Sequence, residues 1–237
     1  AYYPFMKRIN KMGPAAMDTL RHVSPLSPVA FADTQAAGAL VIDLRAAEAF
    51  RAGHIPGAVS VQLGASFAIW AGWLTPYERE VLLVVDTAEQ LADAITDHRR
   101  IRVDHVVGWL EGGMPAWIGD GRPVSTLTSI TVGELARMRQ ERNDDLLVLD
   151  VRDESEFLEG TVKDATNFFA GRLAQGEHPD LAGRTVAVIC GSGYRSMVAA
   201  SLLERVGVTE IINVEGGMAA WRDAELPIAQ PARLVAT

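Results

Sequence analysis

The only cysteine among 237 residues, Cys190, stands in the run TVAVICGSGYRS (Thr185–Ser196). β-Branched residues lead into it, and a glycine-rich turn carries the chain into an amphipathic stretch that stops at Gly207. A thiol between the end of a buried strand and the start of a helix is placed for nucleophilic chemistry. Gly191 and Gly193 let consecutive backbone N–H groups turn inward as an anion-binding nest. A helix beginning near Arg195 aims its positive end at the same point. Val198, Leu202 and Val206 recur at helical spacing and are expected to form its apolar face. A thiolate held in this way is expected to be nucleophilic at neutral pH. The competing expectation is an inert buried thiol, the commoner fate of a free cysteine.

Composition narrows the remaining choices. The formal net charge of −8 argues against broad binding to nucleic acid or anionic membranes. A single cysteine rules out an internal disulfide framework and fits a reducing, cytoplasmic setting. His22, His54, His98, His105 and His178 lack metal-binding spacing, so neither metal nor cofactor is expected. No apolar run approaches the length of a bilayer span. AYYPFMKRINKMGP (Ala1–Pro14) lacks the uninterrupted apolar core of a signal peptide. It also lacks an initiating methionine, and Ala1 is expected to be the cut end of a longer protein.

The elements that must hold Cys190 occur twice. ALVIDLRAAEAFRAGHIPGAVSV (Ala39–Val61) returns as LLVLDVRDESEFLEGTVKDATNF (Leu146–Phe168), and EGGMPAW (Glu111–Trp117) returns as EGGMAAW (Glu215–Trp221). Two copies of about one hundred residues suit two small domains. The expected boundaries are an extension over 1–27, a first domain over 28–124 and a second over 125–237, with Gly121–Ser129 as linker. In each copy a buried strand (Leu40–Ile42; Leu146–Leu149) precedes a short helix with a D-x-R start. A second strand (Val81–Val85; Thr185–Ile189) and a helix follow. A third strand (His105–Val107; Glu210–Val214) precedes a Gly-Gly turn and a tryptophan-bearing helix. Continuous apolar strands alternating with helices predict a parallel sheet covered on both faces. Ligands of such sheets bind beyond the carboxyl ends of the strands, where Cys190 falls.

The duplication acts as an internal control. Features common to both copies, namely D-x-R, Glu-Phe, Gly-Gly and Trp, are assigned to the fold. Asp150 and Arg152 are therefore expected to form an ion pair at a helix start, as are Asp43 and Arg45. The cysteine loop is not shared. Asp86 stands where Cys190 does, Leu91 stands where Arg195 does, and the glycines are gone. Thr87 and Gln90 form a capping-box pattern that closes that helix start on itself. A carboxylate there repels anionic substrates, so the first copy is expected to be inactive.

Together these motifs resemble the rhodanese family of sulfurtransferases, over about residues 28–230. The first copy carries the resemblance in VIDLR, EAFRAGHIPGAVSV and GGMPAWIGDGRPV; the second in VLDVRDESEF, CGSGYRS and NVEGGMAAWRDAELPI. The resemblance implies an α/β fold of two tandem rhodanese-like domains, each a mainly parallel sheet flanked by helices. It also implies that Cys190 carries sulfane sulfur as a persulfide. The donor would be thiosulfate or a thiol persulfide such as glutathione persulfide, and the acceptor sulfite, a thiol or cyanide. Gly191, Ser192, Gly193, Tyr194, Arg195 and Ser196 would form the binding loop. Tyr194 would shape the entrance or simply pack. Arg195 would bind the donor's anionic group or brace the loop on a carboxylate. Ser196 would supply a helix-start hydroxyl. Asp150, Arg152, Phe168, Phe169 and Arg172 would border the pocket.

A finer likeness concerns YYPFMKRINKMGP (Tyr2–Pro14) and GASFAIWAGWLTPYERE (Gly64–Glu80). Both are similar to the part of metallo-β-lactamase-fold persulfide dioxygenase–rhodanese fusions that follows the metal domain. A partner domain of that kind in a longer chain is implied. The H-x-H-x-D-H motif is lacking, so no dioxygenase activity is carried over. One departure from the family pattern stands out: GTVKDATN (Gly160–Asn167) replaces the form seen in GHIPGAVS (Gly53–Ser60). The missing His, Pro and Gly are expected to alter a turn near the site, whereas His54 itself is read as turn packing.

Two other functions stay open. A phosphatase or arsenate reductase uses a C-x5-R loop, and the C-x4-R loop here leaves a smaller cradle. Alternatively, both copies serve as noncatalytic interaction modules, with or without self-association. FAIWAGWL (Phe67–Leu74) is expected to pack in the core or against a partner.

Overall fold

The computed structural model describes residues 23–74, 79–100, 105–141, 145–181 and 183–231. Tyr2–Pro14 and His22 lie outside these residues, as does the 75–78 part of the segment that follows Gly64. The chain divides into two compact units. One runs to Val124 without Phe50–Gly53, and the other begins at Ser125 and includes that tetrapeptide.

In the first unit the strands are Ser24–Leu26 (β1), Leu40–Asp43 (β2), Val59–Ser60 (β3), Val81–Val84 (β4) and Val106–Leu110 (β5). The helices in this stretch of chain are Pro28–Ala36 (α1), Ala47–Ala52 (α2, which runs into the excluded tetrapeptide), Phe67–Leu74 (α3), Ala88–Arg100 (α4) and Gly113–Gly119 (α5). The second unit repeats this order. Its strands are Thr128–Ile130 (β6), Leu146–Asp150 (β7), Thr166–Asn167 (β8), Thr185–Ile189 (β9) and Ile211–Val214 (β10). Its helices are Val132–Gln140 (α6), Glu154–Leu158 (α7), Ala170–Ala174 (α8), Tyr194–Arg205 (α9) and Gly217–Asp223 (α10).

Among the described residues each unit holds a five-stranded sheet, ordered β1-β5-β4-β2-β3 and β6-β10-β9-β7-β8. Every ladder within the sheets is parallel. The central strands follow from sequence: VLLV of β4 is buried at every position, which suits a strand covered on both faces. The sequence reading had three strands per copy and missed the two edges. These strands are two or three residues long and carry SPL, VS, TSI and TN, too short and polar for a hydrophobic period to register. Part of the expected linker, Thr128–Ser129, belongs to β6.

Turn and cap chemistry fixes the helices. Thr131 and Glu134 close a reciprocal capping box at the start of α6. The second unit buries Leu135 of α6, Val148 of β7, Ala187 and Ile189 of β9, and Met218 and Trp221 of α10 in one cluster. Trp221 donates from Nε1 to the Pro227 carbonyl at 3.0 Å, and its twin Trp117 donates to that of Pro123 at 2.8 Å. Phe67, Trp70, Ala71 and Leu74 of α3 are buried, so that face of the FAIWAGWL segment is core, while Ile69 is exposed. No helix among the described residues is long and apolar enough to cross a membrane.

The departure at Gly160–Asn167 keeps the left-handed position of the turn. Asp164, with φ 59°, takes the left-handed place that Gly57, with φ 77°, holds in the first unit. Aspartate is among the few non-glycine residues that visit this region readily. Thr161 fills the place of the buried His54 and donates its hydroxyl to Asp150 Oδ2 at 2.7 Å. The alteration expected from sequence is confined to the turn's entry, where Gly160 has φ 140° while its counterpart Gly53 is not among the positive-φ glycines.

Candidate active site

Strand β9 is buried along nearly all its length, and the chain leaves it at Cys190, which is itself fully buried. The loop then turns at Gly193, whose φ of 100° is the left-handed conformation a glycine tolerates. This turn points the Gly193 N–H back at Cys190 Sγ, 3.1 Å away. The thiol in turn donates toward Ser196 Oγ at 3.6 Å, and the Ser196 hydroxyl donates to the Gly193 carbonyl at 3.0 Å. Gly193 is also the N-cap of α9, with no side chain closing the helix start. The sulfur therefore sits at the open, positive end of a twelve-residue helix.

Gly191 serves a different need from the one read in sequence. It is not among the positive-φ glycines; a Cβ there would lie 2.8 Å from Arg195 Nη2. The Arg195 guanidinium thus packs directly over the loop's first turn. It is clamped by Glu156 of α7, with Nη2 donating to Oε1 at 2.7 Å and Nη1 pairing with Oε2. Of the two roles open to Arg195, the geometry is that of a brace. The Glu156 hydrogen bond holds its proton more firmly than usual, against a smaller opposing effect of burial. Tyr194 is half-buried, and burial pushes its phenol above the ordinary range.

A second brace comes from α10. Gly216 and Gly217 both take left-handed conformations, with φ of 70° and 57°. They bring the backbone of α10 onto the cysteine loop: Met218 N–H donates to the Cys190 carbonyl at 2.7 Å, and Ala219 N–H to that of Gly191 at 2.9 Å. A Cβ on Gly217 would stand 2.3 Å from the Cys190 carbonyl oxygen.

Asp150 and Arg152 are both buried at the end of β7. Arg152 Nη2 donates to Asp150 Oδ2 at 2.6 Å and to the Gly160 carbonyl at 2.8 Å. Asp43 and Arg45 repeat the ion pair at 2.7 Å, so this feature belongs to the frame. The pair does not itself start the helix. The N-cap of α7 is Asp153, whose carboxylate accepts from the Ser155 hydroxyl at 2.6 Å and the Glu156 N–H at 3.1 Å. These two bonds, the hydroxyl first, lower the Asp153 carboxyl from the ordinary 3.8 to about 2.

Because the folded value is depressed, the stabilisation is complete above 3.8 and fades as pH falls through about 2. Asp153→Ala is expected to cost about 1 kcal/mol at neutral pH, the usual worth of such a cap. Urea titrations of both proteins should show that deficit shrinking between pH 3.8 and about 2.

Phe168, Phe169 and Arg172 line a cavity of about 820 Å³ together with Asp153, Phe157 and Asn167. Cys190 is not among its lining residues. The cavity nevertheless lies at the same end of the sheet, since β8 pairs with β7 and β7 with β9. Arg172 stacks its guanidinium 4.4 Å from the Phe168 ring centre and pairs with Glu177 at 2.7 Å. The expected apolar face of α9 needs correction: Val206 is exposed and Leu202 only half-buried. Instead Ser196–Ser201 are buried without a break, because α9 is covered by more than one neighbour in its first turns.

In the first unit, Asp86 is exposed at the matching place. Gln90 N–H donates to Thr87 Oγ1 at 3.2 Å, and Gln90 Oε1 accepts from the Asp86 N–H at 2.8 Å. The capping pattern therefore forms, with Gln90 reaching Asp86 rather than Thr87 itself. Among the described residues no cluster of His, Cys, Asp and Glu is arranged to hold a metal ion.

Glu156 is the residue that sequence reasoning passed over. It was grouped with a Glu-Phe element common to both copies, but the first copy reads Glu48-Ala49-Phe50. With Phe50 matched to Phe157, Ala49 stands where Glu156 does. The same internal comparison that singled out Cys190 would have found it.

A family profile described as a rhodanese-like domain matches residues 27–120 and again residues 131–224. The chain is 34% identical over 103 residues to the uncharacterized protein slr1261 of Synechocystis sp., covering 44% of this chain and 58% of that protein. It is 31% identical over 100 residues to a sulfurtransferase of Allochromatium vinosum, covering 41% of this chain and 92% of the relative. It is 29% identical over 100 residues to a tRNA uridine(34) hydroxylase of Cupriavidus necator, covering 38% of this chain but only 36% of the hydroxylase.

Proposed function

Since both halves of the chain belong to the rhodanese-like domain family, we propose that the second half is a sulfurtransferase that moves sulfane sulfur through a persulfide on Cys190. The observation that carries this reading is the Gly193 N–H held 3.1 Å from Sγ at the open start of α9. In the first half an exposed carboxylate, Asp86, takes the nucleophile's place, and that half contributes frame rather than catalysis.

The Cys190 thiolate attacks the sulfane sulfur of the donor. With thiosulfate, the S–S bond breaks, its electron pair leaves with sulfite, and Cys–S–S⁻ remains. With a thiol persulfide R–S–SH, the leaving group is the thiolate R–S⁻ and the proton stays on the new persulfide. Sulfite, a thiol or cyanide then attacks the outer sulfur and returns Cys190 as thiolate. In each direction the loop N–H and the helix end stabilise the anionic sulfur. The cavity lined by Phe168, Phe169 and Arg172 suits the organic part of a persulfide or acceptor thiol.

The phosphatase reading requires a cradle for a tetrahedral oxyanion with a free arginine. Here Arg195 is taken up by Glu156. Incubation with thiosulfate or glutathione persulfide should add the mass of one sulfur atom to the chain, removable by cyanide. Phosphate release from an aryl phosphate that depends on Cys190, with no sulfur transfer to any acceptor, would move the assignment to the phosphatase class.

A further inference from the structure

Arg195 and Glu156 vanish together in the repeat that lacks the cysteine, where Leu91 and Ala49 stand in their places. Asp43–Arg45, the Gly112–Gly113 turn and Trp117 all persist there, so the frame does not need the missing pair. Where the pair is present, Glu156 takes both terminal nitrogens of Arg195. It thereby holds the guanidinium beside Gly191, with Nη2 2.8 Å from where a Cβ would stand. The side chains are 25% and 32% exposed, so solvent screens their charges only partly. Asp153 lies close enough to act on Arg195 as well.

Resting on the sulfurtransferase reading, we infer that Glu156 is a positioning residue that sets donor specificity: it fixes Arg195 against the Cys190 loop and cancels its charge, favouring donors of one charge or none over dianionic thiosulfate. The reasoning is electrostatic. A free guanidinium at the mouth would attract a dianion about twice as strongly as a monoanion, because the interaction scales with the product of charges. With Glu156 in place, recognition of the sulfur passes to the Gly193 N–H and the helix end, which serve any anionic sulfur. The carboxylates of Glu156 and Asp153 further weigh against a second negative charge on the donor.

The test measures single-turnover persulfidation of Cys190 by rapid-quench mass analysis, with thiosulfate and with 2-hydroxyethyl persulfide as donors. Glu156→Gln should lower the half-saturating concentration of thiosulfate about three- to tenfold, in a way that salt abolishes. That of the hydroxyethyl persulfide, at most a monoanion, should change by about the square root of that factor, roughly two- to threefold. The limiting rate should fall about tenfold with both donors as Arg195 leaves Gly191. Glu156→Asp should restore part of the wild-type preference. The double change Glu156→Ala with Arg195→Leu should return the thiosulfate value toward wild type, because the unmasked charge is gone. An unchanged donor preference and salt dependence in Glu156→Gln overturns the inference and leaves sulfur transfer standing. If the wild-type chain takes no sulfur on Cys190 at all, the sulfurtransferase reading falls, and this inference with it.

Discussion

Cys190→Ser is expected to lower sulfur transfer by at least about 10³-fold, with the fold unchanged. The size of the effect follows from the chemistry. A serine hydroxyl at this position can accept the Gly193 N–H as the thiol does, so the loop keeps its shape. It cannot attack a sulfane sulfur at neutral pH or store one as a persulfide. No second thiol exists in the chain to take over. Steady-state turnover with thiosulfate and cyanide, together with the intact mass after donor treatment, measures both consequences. Retained turnover in the variant would end the persulfide mechanism.

The second large effect is structural in origin and catalytic in result. Gly217→Ala must hold an L side chain at φ 57°, which costs about 1–2 kcal/mol by itself. The new Cβ would also stand 2.3 Å from the Cys190 carbonyl oxygen and 2.8 Å from the Gly191 carbonyl carbon. Both contacts are with backbone, so the loop or α10 must move. The hydrogen bonds from Met218 and Ala219 to the loop then stretch or break. We expect a fall in melting temperature of about 4–8 °C per kcal/mol lost, for a unit of about this size. Turnover should drop on the order of 10²-fold, as Sγ loses its place under the Gly193 N–H. The matching change Gly113→Ala has the same backbone cost, but its Cβ would meet the Val85 carbonyl at 3.2 Å. It should destabilise less and leave turnover near wild type. Equal losses of turnover in the two variants would contradict the role given to the α10 contact.

Particular residues show what the sequence could and could not tell. Cys190 was legible because it is unique and because the duplicated copy supplies a contrast. The central strands were legible because residues buried on both sheet faces leave unbroken apolar runs, as in VLLV and TVAVI. The edge strands were not, since SPL and TSI owe their extended form to pairing with β5 and β10 and carry no pattern of their own. Val206 was misassigned because a period of 3.6 presumes one covered face, whereas α9 is covered almost all round near its start. The Gly216–Gly217 turn was recognised as shared, yet its contact with the cysteine loop spans residues far apart in sequence. Gly191 was assigned the wrong reason: its lack of a side chain makes room for Arg195, and no local rule reveals a distant guanidinium.

The bonds from Met218 and Ala219 to the loop carbonyls also impose an order in time. Cys190 precedes Gly217–Asp223 in the chain, so the loop is joined before the helix that supplies these donors. Until that helix forms and docks, the carbonyls of Cys190 and Gly191 lack these donors, and the loop is without its second brace.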